Sequence, residues 1–335
     1  MSLRILRPGL LTTVQDLGRP SYQHLGVVVS GAMDALALRV ANLLVGNAEG
    51  AAGLEITLLG PTIRFESGHL ITLIGADLSP TLDGQSMPQH RPVAVRAGTV
   101  LAFGAARAGC RAYLAVAGGL AVPLVLGSRA TYLRAALGGW HGRALRASDE
   151  LPVGELSPAN QQLRQLVAPA VLPVPWAAAR WTPGLALYPR PRSTPTIRAV
   201  RGSEYEQFTE VSQQAFWHEP FAITPAADRM GYRLQGPALT QEIPTELLSS
   251  AVTFGTVQVP PGGQPIVLLA DAQTTGGYPR LAQVITADFA VLAQAVPGQT
   301  LRFQEVSLAE AQAQYLAQER RLRALRQAIH LKLSA

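Results

Sequence analysis

Five short apolar runs, at residues 54–58, 62–65, 70–74, 92–95 and 100–103, are each closed off by glycine, proline or aspartate. That spacing restricts the first half of the chain to short strands and points to a β-barrel. No strand–helix–strand alternation accompanies it, so Rossmann and TIM architectures are disfavoured. The expected fold is therefore mainly β with a few helices. At 335 residues the chain is long enough for two domains. The reading is an N-terminal β-barrel-type domain over 1–155, a proline-rich connection over 156–195, a second barrel over 196–306 and a helical tail over 307–335. Nine of the 25 prolines fall between Pro152 and Pro195, which is why that stretch reads as a connection.

The net charge of +6 rests almost wholly on arginine, because Lys332 is the sole lysine. Arginine suits carboxylates and phosphates. Its residues are scattered, with no basic run interleaved with aromatics, so nucleic-acid binding is not expected. Apolar residues make up 48% and charged residues 15%, a balance that fits either a large core or surface covered by a partner. Cys110 is the only cysteine and begins an apolar strand-like run, so it reads as a small buried residue. A single cysteine allows no internal disulfide, and no apolar run is long enough to span a bilayer. A cytoplasmic protein is expected, with no membrane association.

The polar chemistry concentrates in a few places. Pro260-Pro261-Gly262-Gly263 forces a turn, the apolar run 266–270 reads as a buried strand, and Asp271-Ala272-Gln273-Thr274-Thr275-Gly276-Gly277-Tyr278-Pro279 follows as a polar loop. Its short side chains offer donors and acceptors, and its glycines allow close backbone approach. A self-satisfied turn explains that composition equally well. Gln15-Asp16-Leu17-Gly18-Arg19-Pro20 is a second polar turn, in which Asp16 and Arg19 either pair or form an anion-binding corner. Ser30 or Asp34 caps a helix running to about Val45, whose Leu36, Val40, Leu43 and Leu44 share one face. Free N–H groups at that helix start would also hold an anion. Asp228-Arg229 is either a local ion pair or, in a cleft, a carboxylate clamp oriented by Asp228. Ser307-Leu308-Ala309-Glu310 matches a capping box, and Leu308, Tyr315, Leu322 and Ile329 then recur every seven residues.

Dispersed histidines provide no metal-ligand spacing, and no Walker A, Ser-x-x-Lys or Gly-x-Ser-x-Gly element is present. Two weak internal echoes occur in the same order. Residues 59–63 resemble 235–239, and 97–103 resemble 297–303.

Val14-Gln15-Asp16-Leu17-Gly18-Arg19, Ser30-Gly31-Ala32-Met33-Asp34, Asp228-Arg229-Met230-Gly231-Tyr232 and the stretch 257–280 together resemble the family of the 5-oxoprolinase C subunit. That family includes the allophanate hydrolase subunit 2 type, the carboxyltransferase domain of urea amidolyase and an antagonist of a sporulation kinase inhibitor. The likeness runs from about Ile5 to Ser307. It implies tandem cyclophilin-like β-barrel units and, with the tail, a C-terminal helix. It also implies the C subunit of an ATP-dependent 5-oxoprolinase that hydrolyses the cyclic amide of 5-oxoproline to glutamate. The A and B subunits of 5-oxoprolinase would be its partners in a hetero-oligomer.

Alternatives are a biotin-dependent carboxyltransferase component and a non-enzymatic protein that binds a kinase-inhibitor-like partner. Lactam opening calls for a carboxylate clamp, a general base and oxyanion stabilisation. With the resemblance, Asp271, Gln273 and Asp16 are the catalytic candidates. Arg19, Ser30, Asp34, Asp228, Arg229, Thr274, Gly276, Gly277 and Tyr278 are the ligand-binding candidates. The sequence departs from the family pattern at Ala272, where arginine is usual, at Arg280 for lysine, at Ser250 for glutamate and at Ala227 for serine.

Overall fold

The computed structural model describes residues 1–168, 174–184, 187–188, 191, 193–243 and 247–334. They divide into two units that interleave along the chain. The first comprises Met1–Gly18, Asp34–Pro189 and Arg320–Ala335; the second comprises Arg19–Met33 and Arg190–Glu319.

In chain order the first unit contains β1 (Ser2–Arg7), β2 (Leu11–Gln15), α1 (Ala35–Leu44), β3 (Gly53–Thr57), β4 (Thr62–Phe65) and β5 (His69–Asp77). There follow β6 (Thr81–Leu82), β7 (Gln85–Ser86), β8 (Val93–Val95), β9 (Val100–Ala102), β10 (Ala108–Val116), β11 (Glu150–Pro152), α2 (Pro158–Val167) and β12 (Trp176–Ala178). The strands form two six-stranded sheets, β11-β1-β4-β9-β6-β7 and β12-β8-β5-β10-β3-β2. Leu3, Phe65 and Leu101 enter the apolar core of this unit from alternating, half-buried strands, whereas Leu73 and Leu114 enter it from β5 and β10, which are buried almost throughout. Cys110 is buried on β10.

The apolar runs on either side of Pro8-Gly9 suggest a hairpin, but β1 and β2 do not pair with each other. Strand β1 pairs with β4 and β11, while β2 pairs with β3. Gly9 adopts φ +73° and lies so close to Leu59 that a Cβ would sit 2.4 Å from its carbonyl oxygen. That tight corner sends the two strands into different sheets. The proline-rich stretch is also more regular than its composition suggests. It supplies α2, whose Ser157 and Asn160 cap each other reciprocally, and β12, which extends a sheet by pairing with β8.

The second unit contains β13 (Thr196–Arg201), α3 (Glu210–His218), β14 (Phe221–Ile223), β15 (Gly231–Gln235), β16 (Ser250–Ala251) and β17 (Thr256–Gln258). It continues with β18 (Ile266–Leu268), β19 (Thr275–Gly276), β20 (Arg280–Val284), α4 (Phe289–Ala293), β21 (Thr300–Glu305) and the start of α5 (Leu308–Ser334). Seven strands close a barrel in the order β13-β20-β17-β18-β15-β14-β21. Closure removes the exposed edges of an open sheet. The filling includes Phe216, Phe221, Tyr232, Val257, Val267, Leu281 and Phe303.

Both sequence echoes correspond to matching local structures. Gly98 and Gly298, at φ +85° and +87°, precede β9 and β21. Gly60 and Gly236 each lie against a phenylalanine ring, Phe103 and Phe221, where a Cβ would collide. Before α5, Ser307 and Glu310 cap each other reciprocally. Leu322 and Ile329 are buried, whereas Leu308 and Tyr315 are exposed. No described helix is long and apolar enough to cross a membrane.

Candidate functional site

The polar loop 271–279 leaves the barrel at the end of β18, and its first residue is a buried, multiply hydrogen-bonded carboxylate. Asp271 is 4% exposed. Arg229 donates to it from two nitrogens, Nε to Oδ2 at 2.8 Å and Nη2 to Oδ1 at 3.1 Å. The backbone runs beside the side chains, since the N–H of Asp271 donates to the carbonyl of Arg229 at 2.9 Å. This planar two-point pairing is the geometry in which guanidinium–carboxylate pairs are strongest. Asp228, the sequence neighbour of Arg229, also shapes the local backbone. It turns its Oδ1 onto the N–H groups of Met230 and Gly231, making the turn that starts β15.

Ser30 completes the cluster. Its Oγ donates to Asp271 Oδ1 at 2.8 Å, and Arg229 Nη2 also donates to the carbonyl of Gly31 at 2.6 Å. Ser30 has φ +55° and Gly31 φ +90°, so a serine is held in a region that side chains rarely occupy. Such strain persists only where the surroundings enforce it. Here the Asp271–Arg229 pair provides that enforcement. The segment before Ser30 is closed by the N–H of Arg19 donating to the carbonyl of Val29, and Arg19 itself is 1% exposed.

A cavity of about 220 Å³ adjoins this cluster, lined in part by Gln23, Ser30, Thr253, Ala272, Gln273 and Thr274. Gln273 is exposed and Thr274 half-buried. Among its described lining residues none is charged; the Asp271–Arg229 pair stands behind the wall formed by Ser30 and Ala272. The cavity therefore offers hydroxyls and two carboxamides to a ligand, while the charge pair fixes the backbone beside Ser30 and Ala272.

Of the twelve residues singled out from the sequence, Asp271, Arg229, Ser30, Gln273 and Thr274 come together here. Gly276, Gly277 and Tyr278 follow in the same loop but travel away along β19. Asp16 and Asp34 belong to the first unit. Asp16 accepts from Ser128 Oγ and from the N–H of Arg129, both at 2.6 Å, and from the N–H of Gly18 at 2.8 Å. Asp34 caps α1 through Oδ1 and the N–H of Ala37 at 2.9 Å, while its Oδ2 accepts from the hydroxyl of Tyr188. Its N–H donates to Tyr113, whose hydroxyl donates to Glu55 at 2.7 Å. Burial, reinforced by the Glu55 carboxylate, raises the Tyr113 phenol well above its ordinary pKa. The capping reading of Asp34 thus holds. Sequence reasoning missed Gln23 and Thr253, which carry no local signal beyond being polar residues in loops.

Residues 25–305 match the family model described as "Carboxyltransferase domain, subdomain A and B". The chain belongs to this carboxyltransferase-domain family. It is 43% identical to a protein of Escherichia coli named as the C subunit of 5-oxoprolinase, covering 92% of this chain and 93% of that one. Identity to the Haemophilus influenzae protein of the same name is 41%, with 89% of each chain covered. Among solved structures, the urea amidolyase of K. lactis superposes with a TM-score of 0.86 at 29% identity over 97% of this chain. The match spans only 20% of that much longer protein.

Proposed function

We propose that this protein is the C subunit of a 5-oxoprolinase, acting with the A and B subunits. The observation that carries this reading is identity of 43% and 41%, over 89–93% of each chain, with two proteins bearing that name. In the reaction, water adds to the lactam carbonyl carbon, the carbon–nitrogen bond opens and the nitrogen takes a proton, giving glutamate at the expense of ATP hydrolysis. The complex is a cytoplasmic hydrolase in this reading.

The roles within the chain follow from the cavity. A space of about 220 Å³ suits one small ring and lies below the roughly 300–1,000 Å³ of drug-sized sites. Gln273 and Thr274 are assigned to the amide and carbonyl groups of the substrate, with Thr253 beside them. Asp271 and Arg229 are positioning residues, because each spends its charge on the other. The cavity is too small for a nucleoside triphosphate and has no cation among its described lining residues. ATP is therefore not placed in this cavity, and no step through it is assigned to these residues.

The second reading is a biotin-dependent carboxyltransferase component, favoured by the superposition on urea amidolyase. Glutamate release from 5-oxoproline and ATP by this chain with the A and B subunits separates the two. Turnover supports the first reading. Absence of turnover from a verified assembly, with carboxyl transfer from biotin to urea in its place, supports the second.

A further inference from the structure

The loop 271–279 touches both ends of the barrel, and the end away from Asp271 holds a larger cavity. Strand β17 runs antiparallel to β18 and β20, and β18 antiparallel to β15. The start of β17 and the exit of β18 therefore share one end, where Thr253 and Ala272 line the smaller cavity. The exits of β15 and β17 and the entry of β20 share the other. There, Leu239, Val259 and Tyr278 enclose a cavity of about 630 Å³. Mouths of barrels are recurrent positions for small-molecule sites, and this volume falls within their usual range.

The lining divides into an apolar floor and a polar rim. Phe208, Leu239 and Val259 form the floor, at 2%, 2% and 4% exposure, and belong to the barrel core. Thr240, Gln241 and Tyr278 stand on the rim. Among the described lining residues none is charged. Tyr278 is 46% exposed, and among the described residues its hydroxyl has no protein partner. Gln241 spends an amide hydrogen on Gln207 at 3.2 Å. A cavity with no charge among its described lining residues disfavours ions, which would lose hydration without compensation. The ring of Phe208 in that floor favours a flat ring, and a phenol at the rim can donate to a carbonyl oxygen.

We propose that this mouth of the barrel, floored by Phe208, Leu239 and Val259 and rimmed by Tyr278, is a second binding site, for an uncharged ring-bearing small molecule with a carbonyl group. The site is independent of the function proposed above, since it shares no lining residue with the smaller cavity.

Titration calorimetry of the full chain with N-methylbenzamide tests this, with benzoate and benzylammonium as charged comparators. Saturable one-to-one binding of the amide is expected, with both ions at least about tenfold weaker. Thr240→Trp, placing an indole across the rim from an exposed position, should abolish binding. Tyr278→Phe should weaken it about two- to tenfold, the loss expected for one hydrogen bond. Ala272→Trp, which plugs the smaller cavity, should leave it unchanged. No saturable binding at millimolar amide, binding that survives Thr240→Trp, or binding abolished by Ala272→Trp would each overturn the proposal.

Discussion

Arg229 grips Asp271 across 42 residues of sequence, with Nε on one carboxylate oxygen and Nη2 on the other. The pair joins the entry of β15 to the exit of β18, two neighbouring strands of the barrel. Both side chains are buried, at 7% and 6% side-chain exposure. The same guanidinium holds Gly31 and the same carboxylate holds Ser30, so three separate segments meet at one ion pair.

Removing one partner leaves a buried charge without its counter-charge. Arg229→Ala is expected to destabilise the chain by about 3–5 kcal/mol, and Asp271→Ala by a similar amount. The double replacement Arg229→Met with Asp271→Leu should cost much less than the sum. Urea unfolding of the three variants measures this. Additive losses would mean that the two groups do not depend on each other.

Ser30 separates strain from hydrogen bonding. Ser30→Ala keeps the strained φ and deletes the hydroxyl, so about 1–2 kcal/mol should be lost. Ser30→Gly also deletes the hydroxyl but relieves the backbone, and should retain more stability than the alanine variant. Equal unfolding midpoints for the two variants would show that the φ +55° conformation stores no strain.

His69 on β5 supplies a pH signature. Burial pushes its imidazole down to about 4, from an ordinary value of 6.5. The unfolded chain therefore binds a proton below about pH 6.5 that the folded chain refuses until about pH 4. Stability attributable to His69 is complete above about pH 6.5 and declines as pH falls from about 6.5 to about 4, by at most about 3 kcal/mol. The difference between wild type and His69→Gln in unfolding free energy should shrink by that trend between about pH 7 and about pH 5. A difference that stays constant would contradict it.

Gln273 and Thr274 should separate from the ion pair in kinetics. In the assembled complex, Gln273→Ala and Thr274→Val should lower kcat/KM for 5-oxoproline about tenfold or more while the unfolding midpoint stays near wild type. Unchanged kcat/KM would remove these two residues from the cavity's chemistry.

Much of the local structure is legible in the sequence. The strands between 54 and 103 stand near their expected positions because each needs only a short apolar run between turn residues. Asp34 at the start of α1 and Ser307 with Glu310 before α5 follow from capping chemistry confined to three or four residues. What escapes are choices made over distance. Whether β1 pairs with β2 or with β4 depends on where the Gly9 corner aims the chain. Asp228 adjoins Arg229 and invites pairing with it, whereas Asp271 reaches Arg229 only once β15 and β18 lie side by side. Asp271 and Tyr278 are seven residues apart and read as one site, yet the intervening strand β19 carries them to opposite ends of the barrel.

The most direct test of the account is an omission experiment on the reconstituted system. Glutamate released per ATP hydrolysed is measured with the A and B subunits plus this chain, then with this chain withheld. The account predicts turnover in the full mixture and its loss on omission. Equal glutamate release with and without this chain, or none from a mixture shown to assemble, would contradict it.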